Sequence, residues 1–215
     1  LARRRRASIG LAAAGVAPRR DANVGNTGVE RPRAALDVLN ALQEQSSQRA
    51  RQKAEHVAAT TIPSSWGPLS VVAFKAPVGD ILAVVSGVAD GLDVPVRVHD
   101  ACLTGEVFGS LKCDCGPQLQ QALALQTERK FGIVVYMPQE GRGIGLANKI
   151  AAYRLQEEQG LDTVDANLAL GLPAEMRDYS ALGGILASLG VRTVRLMTNN
   201  PYKVRQLRAA GVEVS

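Results

Sequence analysis

The sequence is short of cysteine, histidine and aromatic side chains: among 215 residues there are three Cys and two His, and Phe, Trp and Tyr together make up 4%. Each shortage removes a class of protein. An odd number of cysteines gathered in one stretch does not suit a disulfide-stapled secreted domain, and it implies a reducing compartment. With only His56 and His99 available, a metal centre built mainly on imidazole is ruled out. Scarce aromatics leave few platforms on which single-stranded bases could stack. No apolar run approaches the roughly 20 residues needed to cross a bilayer, so no membrane span is expected.

Acid is also missing from the first 20 residues, LARRRRASIGLAAAGVAPRR, which hold six arginines and many alanines. That composition is shared by organelle transit peptides and by disordered basic arms. Residues 1–60 carry 11 Lys and Arg against 5 Asp and Glu, a net of +6, whereas residues 61–215 carry 14 against 15, a net of −1. The basic balance therefore belongs to the tail. Two units are expected: a basic, largely disordered tail with a linker helix over 1–60, and a folded domain over 61–215. The chain opens on Leu1 rather than Met, which suggests a fragment.

The linker helix is read over residues 34–59, where Leu36, Leu39 and Leu42 recur at helical spacing. His56 falls in it and reads as solvated. From Thr61 onward β-rich runs follow one another: TIPSSWGPLSVVAFKA, ILAVVSG and VPVRVHDACL. In the last of these Val96 and Val98 face one way, and Arg97 and His99 the other. After Gly116 the rhythm becomes α/β. A helix PQLQQALALQTERK with Leu119, Ala122 and Leu123 inward precedes a buried strand FGIVVYM. A glycine-rich turn then opens a helix with Leu146, Ile150 and Tyr153 on one face. Further helices are expected over 179–189 and from Pro201 to Gly211, with the strand TVRLMT between them. The fold class is thus α/β with α+β character: a mixed sheet whose antiparallel, β-rich front half carries the cysteines and whose back half alternates helix and strand.

The three cysteines, Cys102, Cys113 and Cys115, all lie in CLTGEVFGSLKCDCG. In an extended strand the side chains of Cys113 and Cys115 would project together. Gly105 and Gly109 allow the chain to turn and return Cys102 beside them. Buried free thiols are one reading. The other is a zinc (Zn2+) site, and three ligands without a fourth cysteine favour the open, catalytic kind over the closed, structural kind.

Three further stretches could carry chemistry. QEGRGIG lies between a strand and a helix, where backbone amides hold anions, and Arg142 within it can fork onto phosphate. Its glycine spacing matches neither the dinucleotide fingerprint nor the P-loop, and a plain tight turn would look the same. TNNPYK offers Thr198 and Lys203 at a helix start. LPAEMRDYS packs Glu175, Arg177 and Asp178 together, either as a solvated helix start or as a carboxylate paired with an arginine.

Together the stretches RVHDACLTG, SLKCDCGPQL, QEGRGIGLANKIAAY, LDTVDAN, RDY and LMTNNPYKV, in this order from Val94 to Val204, resemble the GTP cyclohydrolase II family. The resemblance implies a hydrolase of riboflavin biosynthesis. It would open the imidazole ring of GTP, releasing formate and pyrophosphate to leave 2,5-diamino-6-(5-phosphoribosylamino)pyrimidin-4-one. It further implies zinc on Cys102, Cys113 and Cys115, whose water would attack C8, and magnesium (Mg2+) on the phosphates. Arg177 matches a nucleophile at the α-phosphate, Glu175 a general base, and Tyr153 a tyrosine that orients substrate or proton transfer. Arg97, Val98, His99, Asp100, Ala101, Gln118, Glu140, Gly141, Arg142, Thr163, Thr198 and Lys203 match GTP-contacting positions. A homodimer is implied, with neither nucleic acid nor membrane as partner, in the cytoplasm or, if the arginine-rich start is a transit peptide, in a plastid.

Two positions depart from the family pattern. Glu175 stands where Asp is usual, keeping the carboxylate but one methylene longer, and Ala101 replaces a Glu before the first cysteine. A displacement near 1 Å at reacting groups can cost about a hundredfold in rate. A divergent homologue that binds zinc and nucleotide with weak, altered or lost turnover is therefore the alternative reading. A nucleic-acid-binding protein with zinc as a structural staple is disfavoured by the slightly acidic core. The chain also stops soon after GVEV, where the family continues, so a missing last strand or tail is expected.

Overall fold

The structure, a computed structural model, describes residues 54–215. The basic start and most of the linker helix lie outside the described residues. Where that helix was expected to end, the chain is instead extended: strand β1 spans Glu55–Ser64 and pairs antiparallel with β2 (Gly67–Ala76) through a tight turn at Ser65 and Trp66. The β-branched and small residues of EHVAATTIPS have no apolar face to lay on a core, and a pairing edge settles their conformation. His56 is exposed, as expected, with its ring edge-on to Phe74.

Seven strands form one sheet in the order β1-β2-β3-β5-β4-β6-β7, with β3 at Gly79–Gly87, β4 at Val94–Asp100, β5 at Gly132–Met137, β6 at Thr193–Leu196 and β7 at Glu213–Val214. The expected mixed sheet is present. Pairing is antiparallel from β1 through β3 to β5 and parallel across β5, β4, β6 and β7. β4, which delivers the cysteines, lies in the parallel part. β5 is the middle strand of the seven and has a core on each face, which explains its unbroken apolar run.

Alternation along β4 and β5 builds two cores. Val94, Val96, Val98, Ile133, Val135 and Met137 join Tyr179, Leu182, Ile185, Leu186 and Leu207, which bring in helices α5 (Leu182–Ser188) and α6 (Pro201–Ala209). On the opposite face Val134 meets Ala122 and Leu123 of helix α2 (Cys115–Arg129), with Leu119 and Trp66 beside them. Short helix α1 (Leu103–Glu106) precedes α2, and α3 (Leu146–Gln159) and α4 (Thr163–Ala169) follow β5.

Two expectations about helices are corrected. In α3 two residues of the face read from the sequence, Leu146 and Ile150, are exposed, and the buried residues are Lys149 and Ala152. Tyr179 precedes α5 rather than opening it, and Glu175 to Asp178 lie in a loop that supports no solvated helix start.

From β4 the chain crosses to β5 on one side, and from β5 it returns past β4 to β6 on the other. Such a reversal opens a crevice at the carboxyl ends of the parallel strands. The residues following Asp100 and Met137 enter it.

Candidate metal centre and nucleotide cavity

The cysteines do not share a strand. Cys102 stands at the start of α1, Cys113 in a turn, and Cys115 is the first residue of α2. Their sulfurs nevertheless lie within 4.8 Å of one another, Cys102 and Cys113 at 3.5 Å. Gly105 makes this possible: a Cβ there would fall 2.9 Å from the sulfur of Cys113 and 3.3 Å from that of Cys102. The arrangement fits a soft cation bound by thiolates, and no other donor cluster of this kind occurs among the described residues.

Electrostatics separate the three. Burial works to raise the Cys102 thiol, but a hydrogen bond from Lys149 and lesser ones from Gly105, Thr104 and Cys113 bring it below the usual thiol range. Burial pushes Cys115 up, and its two sulfur neighbours push it further, because like charges oppose ionisation. A cation in the triangle reverses that opposition.

The loop carrying Cys102 is fixed by two carboxylates. Glu106 accepts from the backbone N–H of Cys102 at 2.7 Å and from the Tyr136 hydroxyl at 2.7 Å, and its Oε1 lies 2.8 Å from Nε2 of His99. Burial holds His99 below its ordinary pKa despite that partner. Glu140 accepts from the N–H of Leu103 at 2.8 Å and from Lys149 Nζ at 2.6 Å.

A cavity of about 320 Å³ opens beside the sulfurs. Its walls bring together Asp100, Ala101, all three cysteines, Glu140, Gly141, Arg142, Tyr153, Thr163 and Arg177. Arg142 sits in a 3-10 turn, Glu140–Gly143, with φ of +61°, a left-handed conformation that costs a non-glycine residue energy. The turn is locked from outside: Met176 N donates to Arg142 O at 2.9 Å, and a Cβ on Gly143 would lie 2.8 Å from the Met176 backbone.

Arg177 is held on three sides. Its Nε donates to Glu175 Oε1 at 2.7 Å, Nη2 donates to Glu175 Oε2, and Nη1 donates to Asp100 Oδ2 at 3.0 Å. Burial opposes its charge, but these carboxylates raise its pKa. Burial likewise acts to raise Glu175, yet the hydrogen bonds from Arg177 leave it lowered. The Glu175 carboxylate thus lies folded back onto the guanidinium. Asp100 gathers the neighbours, receiving the Tyr179 hydroxyl at 2.7 Å and Lys203 Nζ at 3.0 Å.

Not every expected contact meets in this cavity. Arg97, Gln118 and Thr198 line a second one of about 310 Å³, where Arg97 Nη2 donates to Gln118 Oε1 at 2.5 Å. Val98 and His99 are buried, and Lys203 is 6% exposed, donating to Val98 O at 2.8 Å. None of the three lines the first cavity, and Lys203 reaches its wall through Asp100. Sequence reasoning passed over Lys149, Glu106, Tyr136 and Tyr179, and also Gln139, which lines the cavity and accepts the N–H of Asp178 at 2.6 Å. Lys149 carried one signal: it stands three and four residues before Ala152 and Tyr153, so helical spacing puts it on the same face as both.

The profile of the family described as GTP cyclohydrolase II matches residues 54–215. The chain is 50% identical over 162 residues to the GTP cyclohydrolase-2 of Neisseria meningitidis serogroup C, covering 74% of this chain and 81% of that one. It is 49% identical over 162 residues to the GTP cyclohydrolase-2 of Archaeoglobus fulgidus, covering 74% of this chain and 43% of that one. It is also 50% identical over 163 residues to the riboflavin biosynthesis protein RibBA of Nocardia farcinica, covering 74% and 39%. Because the match starts at the first described residue and runs through both the cysteine triangle and the arginine cluster, the chain belongs to the GTP cyclohydrolase II family of enzymes.

Proposed function

We propose that the protein hydrolyses GTP to 2,5-diamino-6-(5-phosphoribosylamino)pyrimidin-4-one, releasing formate and pyrophosphate, as the first step of riboflavin biosynthesis. The observation that carries this reading is one cavity with three convergent thiols on one wall and the guanidiniums of Arg142 and Arg177 on others.

Cys102, Cys113 and Cys115 would hold zinc, which supplies a Lewis acid and lowers the pKa of a water at its free position to about 7. The chain's own residues do the rest. Arg142, fixed by its locked turn, and Arg177, fixed by Asp100 and Glu175, present positive charge to a triphosphate without reorganising. With carboxylates on three of its nitrogens, Arg177 is engaged as a guanidinium and acts as a fixed cation rather than as a nucleophile. Tyr153 lines the wall, with Lys112 and Lys149 5.2 and 5.6 Å from its ring centre, and orients the purine beside the sulfurs. Magnesium would be held mainly by the phosphate oxygens of the substrate, as a hard cation that prefers oxygen ligands. The protein works as a homodimer, in the cytoplasm or a plastid, and engages neither nucleic acid nor membrane. No helix among the described residues is long and apolar enough to cross a bilayer.

Metal-replete protein given GTP should release both formate and pyrophosphate; release of neither would sink the proposal. Arg177→Ala should abolish most pyrophosphate release, on the order of a hundredfold or more for an electrostatic clamp, with zinc content unchanged. Zinc loss in that variant would instead make the arginine a structural support of the metal site. The divergent-homologue reading rests on Glu175 folding onto Arg177, and it requires that Glu175→Asp with Ala101→Glu raise turnover from near zero.

A further inference from the structure

Lys149 is 8% exposed, and its Nζ lies 3.1 Å from the sulfur of Cys102 and 2.6 Å from Glu140 Oε1. Glu140 Oε2 in turn accepts the N–H of Leu103 at 2.8 Å. These contacts close a ring that runs from the Cys102 sulfur through Lys149 and Glu140 to Leu103 and back along the chain to Cys102. Both carboxylate oxygens of Glu140 are thereby used within the protein.

A buried ammonium is unfavourable unless it is paired. A surface turn or a simple core contact would have placed an apolar residue here, as Ala152 shows one turn on. The pair is also oriented. Its positive end faces a sulfur and its negative end a backbone N–H, so the ammonium is held where it can donate to a ligand sulfur. Three thiolates on one divalent cation leave a net charge of −1. A hydrogen-bonded ammonium at one sulfur draws that charge outward and fixes the side-chain rotamer of the ligand.

We propose that Lys149, braced by Glu140, is a positioning residue of the metal centre: it donates to the Cys102 thiolate, setting both its orientation and its donor strength. This assigns the Glu140 side chain to the metal loop instead of to the nucleotide. The inference rests on zinc being held by the three cysteines, as proposed above.

The test compares wild type, Lys149→Met, Lys149→Gln and Lys149→Arg in the full chain. Zinc affinity is read by competition with a chromophoric chelator, and the sulfur-to-metal charge-transfer band is read after cobalt substitution. Outer hydrogen-bond partners of metal ligands typically account for 10- to 100-fold in affinity. Lys149→Met should therefore weaken zinc by about that factor and move the cobalt band, and Lys149→Arg should restore most of both. Circular dichroism checks folding, and if Lys149→Met does not fold, the comparison of Lys149→Gln with Lys149→Arg decides, because the former keeps a donor and loses the charge. Wild-type affinity and an unmoved band in a folded Lys149→Met or Lys149→Gln would overturn the inference while leaving the proposed reaction standing. A wild type that binds no zinc would overturn both.

Discussion

A methyl group has no room at Gly105. Its Cβ would enter the sulfur triangle at 2.9 Å from Cys113 and sit 3.4 Å from the Cβ of Cys115. Neither cysteine can yield without spreading the ligand set, since each side chain is a single rotatable bond from the backbone. Gly105→Ala should therefore lower bound zinc from near one per chain to well below it and remove GTP turnover with it. The overall fold should survive, because an overpacked site of this size costs about 1–3 kcal/mol. Zinc content measured beside circular dichroism separates the two effects. At this scale the sequence announced the donors: three cysteines with turn-forming glycines between them. It did not announce what aims them. Glu106 reads as an ordinary solvated acid until the fold brings Tyr136, 30 residues away, and the N–H of Cys102 to its carboxylate. Burial of charge is decided by chain crossings that no local pattern records.

Elements with a strong local signature were legible. α6 is the clearest: Asn200 caps it by accepting the N–H of Tyr202 at 2.9 Å, Pro201 occupies its first turn, and Gly211 follows with φ of +81°. α2, β3, β4, β5 and β6 likewise fall where apolar period and turn residues place them. The failures have physical reasons. α1 spans only 4 residues, too short for a 3.6-residue period to repeat, and α4 buries only Ala166 and Asn167, which form no apolar stripe. α3 shows its apolar side to the outside and Lys149 to the cavity, so the rule that apolar means inward reverses at a site that needs a buried cation. β1 is exposed from Glu55 to Pro63, and only its ladder with β2 reveals it as a strand. The cap of α6 also bears on the site, because this helix carries Lys203 to Val98 O and Asp100. Asn200→Ala should destabilise the protein by about 1 kcal/mol, the usual cost of losing such a cap. Chemical denaturation would measure it. Frayed α6 should also loosen Asp100 and hence the Arg177 clamp, so the Michaelis constant for GTP should rise more than zinc content falls.

For the molecule as a whole, the boundary expected at residue 61 cuts through β1, whose ladder with β2 begins at Glu55 opposite Lys75. Removing residues 1–53 and removing residues 1–60 are therefore different experiments. The first leaves every described strand intact, together with both cores and the cavity, and GTP turnover and zinc content should match those of the full chain. The second removes Glu55 through Thr60 and with them the partners of Lys75, Phe74, Ala73, Val72 and Val71. β2 would then present an unpaired edge, the kind of surface that recruits other strands. That shorter protein should keep its cysteine triangle, which is built entirely from residues 102–115, but light scattering should show it associating on warming at lower temperature. Charge separates the functions as well: the net of +6 lies in residues 1–60 and the net of −1 in residues 61–215. For a protein that engages no nucleic acid, the full chain and the chain lacking residues 1–53 should be retained equally little on immobilised nucleic acid at physiological salt, with turnover the same in both. Loss of turnover with zinc retained would instead give those residues a part in closing the cavity over GTP.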